Sequence, residues 1–149
     1  MCSNSKSAKK KLKIVLFYCR NCVSNDKDIN ILAAKTENFS VRPAVLPCSS
    51  KIQAQTILKI LDKEADGVEI AACPEGKCHF LVGSRRTKRR VEYVQKLLNE
   101  IGVNPDCVGI TQRADLSCDD LIELAKHRAG AISTVTKEYH HEAHEIHEE

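Results

Sequence analysis

Short apolar blocks alternate with longer stretches of helical period along this chain. Residues 14–18, Ile-Val-Leu-Phe-Tyr, form an unbroken apolar run of β-formers, the pattern of a strand buried on both faces. The run stops at Cys19, and residues 21–28 read as a loop turning into a helix, with Ser24 or Asn25 as N-cap. Residues 41–46 predict a second strand, and Pro43 within it suits a sheet edge because proline cannot donate to a ladder.

Ser49 and Ser50 then offer caps for a helix over 51–65, where Ile52, Ile57, Leu58, Leu61 and Ala65 recur at helical spacing. Residues 68–72 predict a third strand ending at Cys73. A loop over 74–84 leads to a helix over 85–101, with Val91, Val94, Leu97, Leu98 and Ile101 as its apolar face and Gly102 as its stop. A short strand over 108–111 and a helix over 117–128 complete the series. Strands alternating with helices imply parallel pairing and right-handed crossovers. The expected fold is therefore a compact three-layer α/β domain of Rossmann-like or flavodoxin-like type, with a small, mostly parallel sheet of about four strands. The expected layout is a basic extension over 1–12, this domain over 13–130, and a His/Glu-rich tail over 131–149.

Composition narrows the function. The 149 residues suffice for one core and not for two. Aromatics make up 4% with no Trp, too few to build base-stacking platforms, so nucleic acid is not an expected partner. No apolar run reaches the length of a membrane span. The first thirteen residues carry five lysines and lack the apolar stretch of a secretory signal, which points to the cytoplasm. Thiols stay reduced there, so eight cysteines suggest metal binding or redox chemistry rather than structural disulfides.

Their placement sharpens this. Cys19, Cys48 and Cys73 each follow a predicted strand, and a parallel sheet gathers its strand C-termini on the edge where such folds place their sites. Cys22 lies three residues beyond Cys19, and Cys78 five beyond Cys73. Five thiols thus converge, whereas Cys2, Cys107 and Cys118 do not share the placement. A single buried cysteine is commonly just a small hydrophobe, but five at one edge call for a soft metal, zinc or an iron–sulfur cluster. Spacing alone leaves the metal open, because only one Cys-x-x-Cys unit is present.

The motifs at 17–22 (Phe-Tyr-Cys-Arg-Asn-Cys), 45–48 (Val-Leu-Pro-Cys), 65–68 (Ala-Asp-Gly-Val) and 73–80 (Cys-Pro-Glu-Gly-Lys-Cys-His-Phe), with Gly83 and 89–94 (Arg-Arg-Val-Glu-Tyr-Val), occur in an order that resembles the delta subunit of methyl-viologen-reducing hydrogenase. The likeness runs from about Lys13 to about Val108 and fades beyond. It implies a [2Fe–2S] cluster held by four of Cys19, Cys22, Cys48, Cys73 and Cys78, and an electron-transfer subunit without chemistry of its own. The implied partners are a hydrogenase or formate dehydrogenase and a flavin-bearing heterodisulfide-reductase-like subunit, or a reductase or methyltransferase system. His79 could replace a thiolate on one iron, hydrogen-bond a cluster sulfur, or simply pack. The rival readings are a zinc-binding structural adaptor and a thiol–disulfide oxidoreductase using Cys19 and Cys22.

Two further features stand apart. Arg85, Arg86, Lys88, Arg89 and Arg90 crowd a predicted helix N-terminus, the end of the macrodipole that disfavours cations. They are either a solvated face or a dock for an acidic partner or a phosphate group. The tail carries His140, His141, His144 and His147, read as a polar tail with adventitious metal affinity. No phosphate-cradling glycine loop appears.

Overall fold

The computed structural model describes residues 11–74 and 83–132. Four strands, β1 (Leu12–Cys19), β2 (Phe39–Leu46), β3 (Gly67–Ala72) and β4 (Val108–Gln112), form an all-parallel sheet in the order β2-β1-β3-β4. Four helices accompany them: α1 (Ile29–Ala34), α2 (Ala54–Lys63), α3 (Gly83–Glu100) and α4 over 118–132. The expected three-layer α/β fold is the observed one. Pro43 sits in β2, an edge strand, as its missing N–H requires.

Successive strand residues point to opposite faces, and each face has its own helices. Val15, Phe17, Val68 and Ile70 share a core with Ile57 and Ile60 of α2 and Val91, Val94 and Leu98 of α3. Leu16, Tyr18 and Ala71 meet Ile29 of α1 and Leu121 of α4. Gly67 and Gly109 lie on this second face. A Cβ at Gly67 would strike the Ile132 side chain, and one at Gly109 the Arg128 guanidinium, so glycine is what lets α4 lie close.

Local signals explain most boundaries. Gly102 has φ 82°, and the Val103 N–H donates to the Leu98 carbonyl at 2.8 Å, the left-handed stop the sequence predicts for α3. Ser117 caps α4: its hydroxyl accepts from the Asp120 N–H at 3.1 Å while the Asp120 carboxylate accepts from the Ser117 N–H at 3.0 Å.

Two expected caps fail for identifiable reasons. Asn25 folds its side chain onto the Lys27 N–H (3.0 Å) and the Ser24 hydroxyl turns to the Leu116 carbonyl, so neither starts α1, which begins only at Ile29. Ser49 and Ser50 do not cap α2 either. They lie in a 3-10 turn, Ser49–Lys51, and α2 starts at Ala54 because Arg90 of α3 donates to the carbonyls of Ser50 and Ile52. Ile52 and Gln53 are extended, with ψ 125° and 154°, so the helical ladder cannot begin before Ala54.

Candidate metal centre

β1 pairs with β2 on one side and β3 on the other, so the strand order switches direction at β1, and the C-terminal edge there is where such sheets place their sites. Cys19 closes β1, and a 3-10 turn, Arg20–Cys22, follows at once. The Leu116 N–H donates to the Cys22 carbonyl (2.9 Å) and the Ser24 N–H to the Leu116 carbonyl (3.2 Å), pinning this segment to the stretch before α4. The Tyr18 hydroxyl donates to Asp26 at 2.7 Å and ties the same loop back to β1. Burial and the Asp26 carboxylate push the Tyr18 phenol above its ordinary range, so it stays a proton donor.

Cys48 lies just past β2 and Cys73 just past β3. All four sulfur residues described at this edge, Cys19, Cys22, Cys48 and Cys73, are buried at 4% exposure or less and belong to one packed cluster. Cys19 Sγ and Cys73 Sγ stand 3.7 Å apart. Two thiolates bound at about 2.3 Å to one tetrahedral metal lie about 3.8 Å from each other, so this pair already has the spacing of two ligands on one ion. The donor chemistry, thiols gathered in a buried apolar cluster, fits a soft metal and not a hard cation. Among the described residues no group of three or more His, Cys, Asp or Glu is set to hold one ion. Cys78 and His79 lie outside the described residues, as do Cys2 and the tail histidines.

The thiols divide their protons unequally. The Cys22 thiol hydrogen-bonded to Cys19, followed by the Asn21 N–H, the Cys73 thiol and the Ser49 N–H, outweighs burial and lowers the Cys19 thiol to about 5. Cys22 moves the opposite way: the Cys19 charge and burial hold its proton on, and that thiol also faces the carbonyls of Cys19 (3.2 Å) and Ala71 (3.5 Å). In metal-free protein the depressed Cys19 stabilises the fold fully above its ordinary value of 9.0 and loses that contribution as pH falls through about 5. The raised Cys22 contributes fully below 9.0 and loses as pH rises. The urea midpoint of metal-free protein is therefore expected to climb from about pH 5 to a maximum near 9 and to fall beyond it, and Cys19→Ser to flatten the climb.

The other cysteines separate. Cys107 sits in the turn before β4, at the opposite edge of the sheet, with its thiol on the Asn104 carbonyl at 2.8 Å. Cys118 lies away from the strand ends, as expected: it opens α4 and packs, half-buried, against the apolar cluster that also holds the four thiols, its own thiol donating to the Asn25 carbonyl at 3.2 Å. The α4 start has no strand-end signature, so only the fold could bring it there. The arginine run also divides. Arg90 turns inward to the Cys48 loop, whereas Arg85, Arg86 and Arg89 are exposed and Lys88 is half-buried.

A groove of about 660 Å³ between α2 and α3 is lined by Leu58, Leu61, Leu98 and Ile101. It lies at the C-terminal end of α3, whereas the thiols adjoin that helix's first turns, so the groove plays no part in the thiol site. No described helix is long and apolar enough to cross a membrane.

Residues 14–135 match the family model described as methyl-viologen-reducing hydrogenase, delta subunit. The chain is 32% identical over 99 residues to the iron-sulfur subunit of an F420-non-reducing hydrogenase from Archaeoglobus profundus, covering 64% of this chain and 69% of that protein. It is 30% identical over 113 residues to the vhu-type iron-sulfur subunit of the F420-non-reducing hydrogenase from Methanopyrus kandleri, covering 76% and 86%. A 28% match over 92 residues falls within one polypeptide of the ferredoxin:CoB-CoM heterodisulfide reductase from Methanosarcina mazei, covering 62% of this chain and 12% of that much longer protein.

Proposed function

The chain belongs to the methyl-viologen-reducing hydrogenase delta subunit family, and on that premise we propose that it is an iron–sulfur electron-transfer subunit. Four of Cys19, Cys22, Cys48, Cys73 and Cys78 hold a [2Fe–2S] cluster at the C-terminal edge of the sheet. The observation that carries this reading is the buried Cys19–Cys73 pair at 3.7 Å, at the switch point of the sheet, with two further thiols packed beside it. Relatives named as hydrogenase iron-sulfur subunits support the metal, and the match within a heterodisulfide reductase polypeptide supports a larger redox partner.

The cluster, when bound, supplies the one-electron carrier. The chain's own residues do the rest. Strand ends fix the thiols, Leu16, Leu116 and Leu121 exclude water from behind them, and Ser50 offers a hydroxyl to Cys48. Arg86 and Arg89 are exposed on the helix that grips the Cys48 loop, and their charge suits that helix to an acidic face on a hydrogenase or heterodisulfide-reductase-like partner.

Anaerobically purified protein tests the reading. Equal amounts of iron and acid-labile sulfide, about two of each per chain, and an S = 1/2 EPR signal after dithionite are expected for a binuclear cluster. A colourless protein with stoichiometric zinc would replace the relay with a structural adaptor.

A further inference from the structure

Residues 48–53 connect β2 to α2 beside the candidate centre, and α3 holds them at three points. The Thr87 hydroxyl donates to the Gly83 carbonyl at 2.9 Å, so its single proton is spent and the buried Ser49 hydroxyl must be the donor in the 2.9 Å Ser49–Thr87 bond. Arg90 then donates to the carbonyls of Ser50 and of Ile52, the latter at 3.0 Å. The Lys51 N–H closes the turn on the Cys48 carbonyl at 3.0 Å. Within this clamp the Ser50 hydroxyl reaches Cys48 Sγ at 3.3 Å and gives its proton to the sulfur. That polarity suits a thiolate ligand, and it is not what a helix cap would use the serine for.

We propose that Ser50 and Arg90 are positioning residues for the metal centre: Ser50 hydrogen-bonds the Cys48 ligand sulfur, and Arg90 holds the turn that keeps it there, so together they raise the reduction potential. The inference rests on the proposed cluster reading. A donor to a ligand sulfur stabilises the more negative, reduced state over the oxidised one. A cation at the same turn acts in the same direction. A hydrogen bond to a charged acceptor is worth enough to shift the reduced-to-oxidised ratio about tenfold, which for a one-electron couple is about 59 mV.

Potentiometric titration followed by EPR, with iron and sulfide assays on the same samples, tests this on the full chain. Ser50→Ala is expected to keep its iron and titrate about tenfold lower in reduced fraction at fixed potential, with Ser50→Thr restoring the wild-type value. Arg90→Gln keeps the Ser50 hydroxyl but frees the turn, and is expected to lower the potential and broaden the EPR line. An iron-replete Ser50→Ala protein with an unchanged midpoint overturns the inference while leaving the cluster reading intact. So does loss of iron in Ser50→Ala that Ser50→Thr fails to reverse, which would make the serine merely structural. Wild-type protein without iron overturns the cluster reading, and this inference with it.

Discussion

Cys19→Ser and Cys73→Ser are each expected to leave a folded protein with no visible absorption and little iron after anaerobic purification. These two sulfurs stand at the spacing of neighbouring ligands on a tetrahedral ion, so removing either takes away half of a ligand edge that is already formed. Serine keeps the volume but offers a hard oxygen donor that iron–sulfur chemistry disfavours. Cys48→Ser is expected to abolish the spectrum as well, and of Cys22→Ser and Cys78→Ser one is expected to abolish it and the other to spare it, since four thiolates suffice. Cys107→Ser is the control: its thiol lies at the opposite edge of the sheet, and the spectrum should be unchanged. The same panel separates the rivals. A zinc adaptor would lose zinc without any change in colour, and a dithiol oxidoreductase would respond only at Cys19 and Cys22. A wild-type visible spectrum in both Cys19→Ser and Cys73→Ser would refute the ligand assignment.

The thiol edge was legible in the sequence because three cysteines closely follow apolar strand runs, and parallel pairing brings such ends together whatever the helices do. The Cys48 loop was not. Two serines before a helical pattern read as caps by local rules, and only the distant Arg90 and Thr87 redirect them toward a sulfur and a neighbouring helix. The arginine run was similarly ambiguous: its charge was visible, but the one side chain that turns inward depends on how α3 lies over the sheet. Cys118 lacked any local mark and packs against the apolar cluster around the thiols only because α4 lies on the same face as α1.

The strand pattern hid a further feature. Residues 67–72 read as a buried strand, and they form one, yet Glu69 lies in its middle, 1% exposed. Its partners come from later in the chain: Arg128 Nε donates to one carboxylate oxygen at 2.8 Å and the Thr111 hydroxyl to the other at 2.8 Å. Arg128 also donates to the Asp106 carbonyl at 2.9 Å, joining α4 to the turn before β4, and Gly109 leaves the space its guanidinium occupies. Arg128→Ala is therefore expected to cost about 3–5 kcal/mol, the usual loss when a buried pair is broken and one charge stays behind. Glu69→Leu combined with Arg128→Met should recover much of that, because it removes both charges together.

The pH dependence gives an independent check. Burial, only partly offset by Arg128, raises the Glu69 carboxyl above its ordinary value, so folded protein holds this proton more tightly than unfolded protein. The contribution is fully present below the ordinary carboxylate value and is lost as pH rises through the folded value. Without Arg128 the carboxyl keeps its proton over a wider range, so the deficit of Arg128→Ala should shrink in acid, where Glu69 is neutral in both proteins. Urea titrations of the two proteins across pH would read this directly. A deficit independent of pH would place the cost in lost packing of α4 rather than in the stranded charge. The iron content and visible spectrum of Arg128→Ala are expected to match wild type, since this ion pair lies mid-sheet and the thiols lie at its C-terminal edge. Stability and metal binding would then be separable properties of this chain, one set by the α4 face and the other by the strand ends.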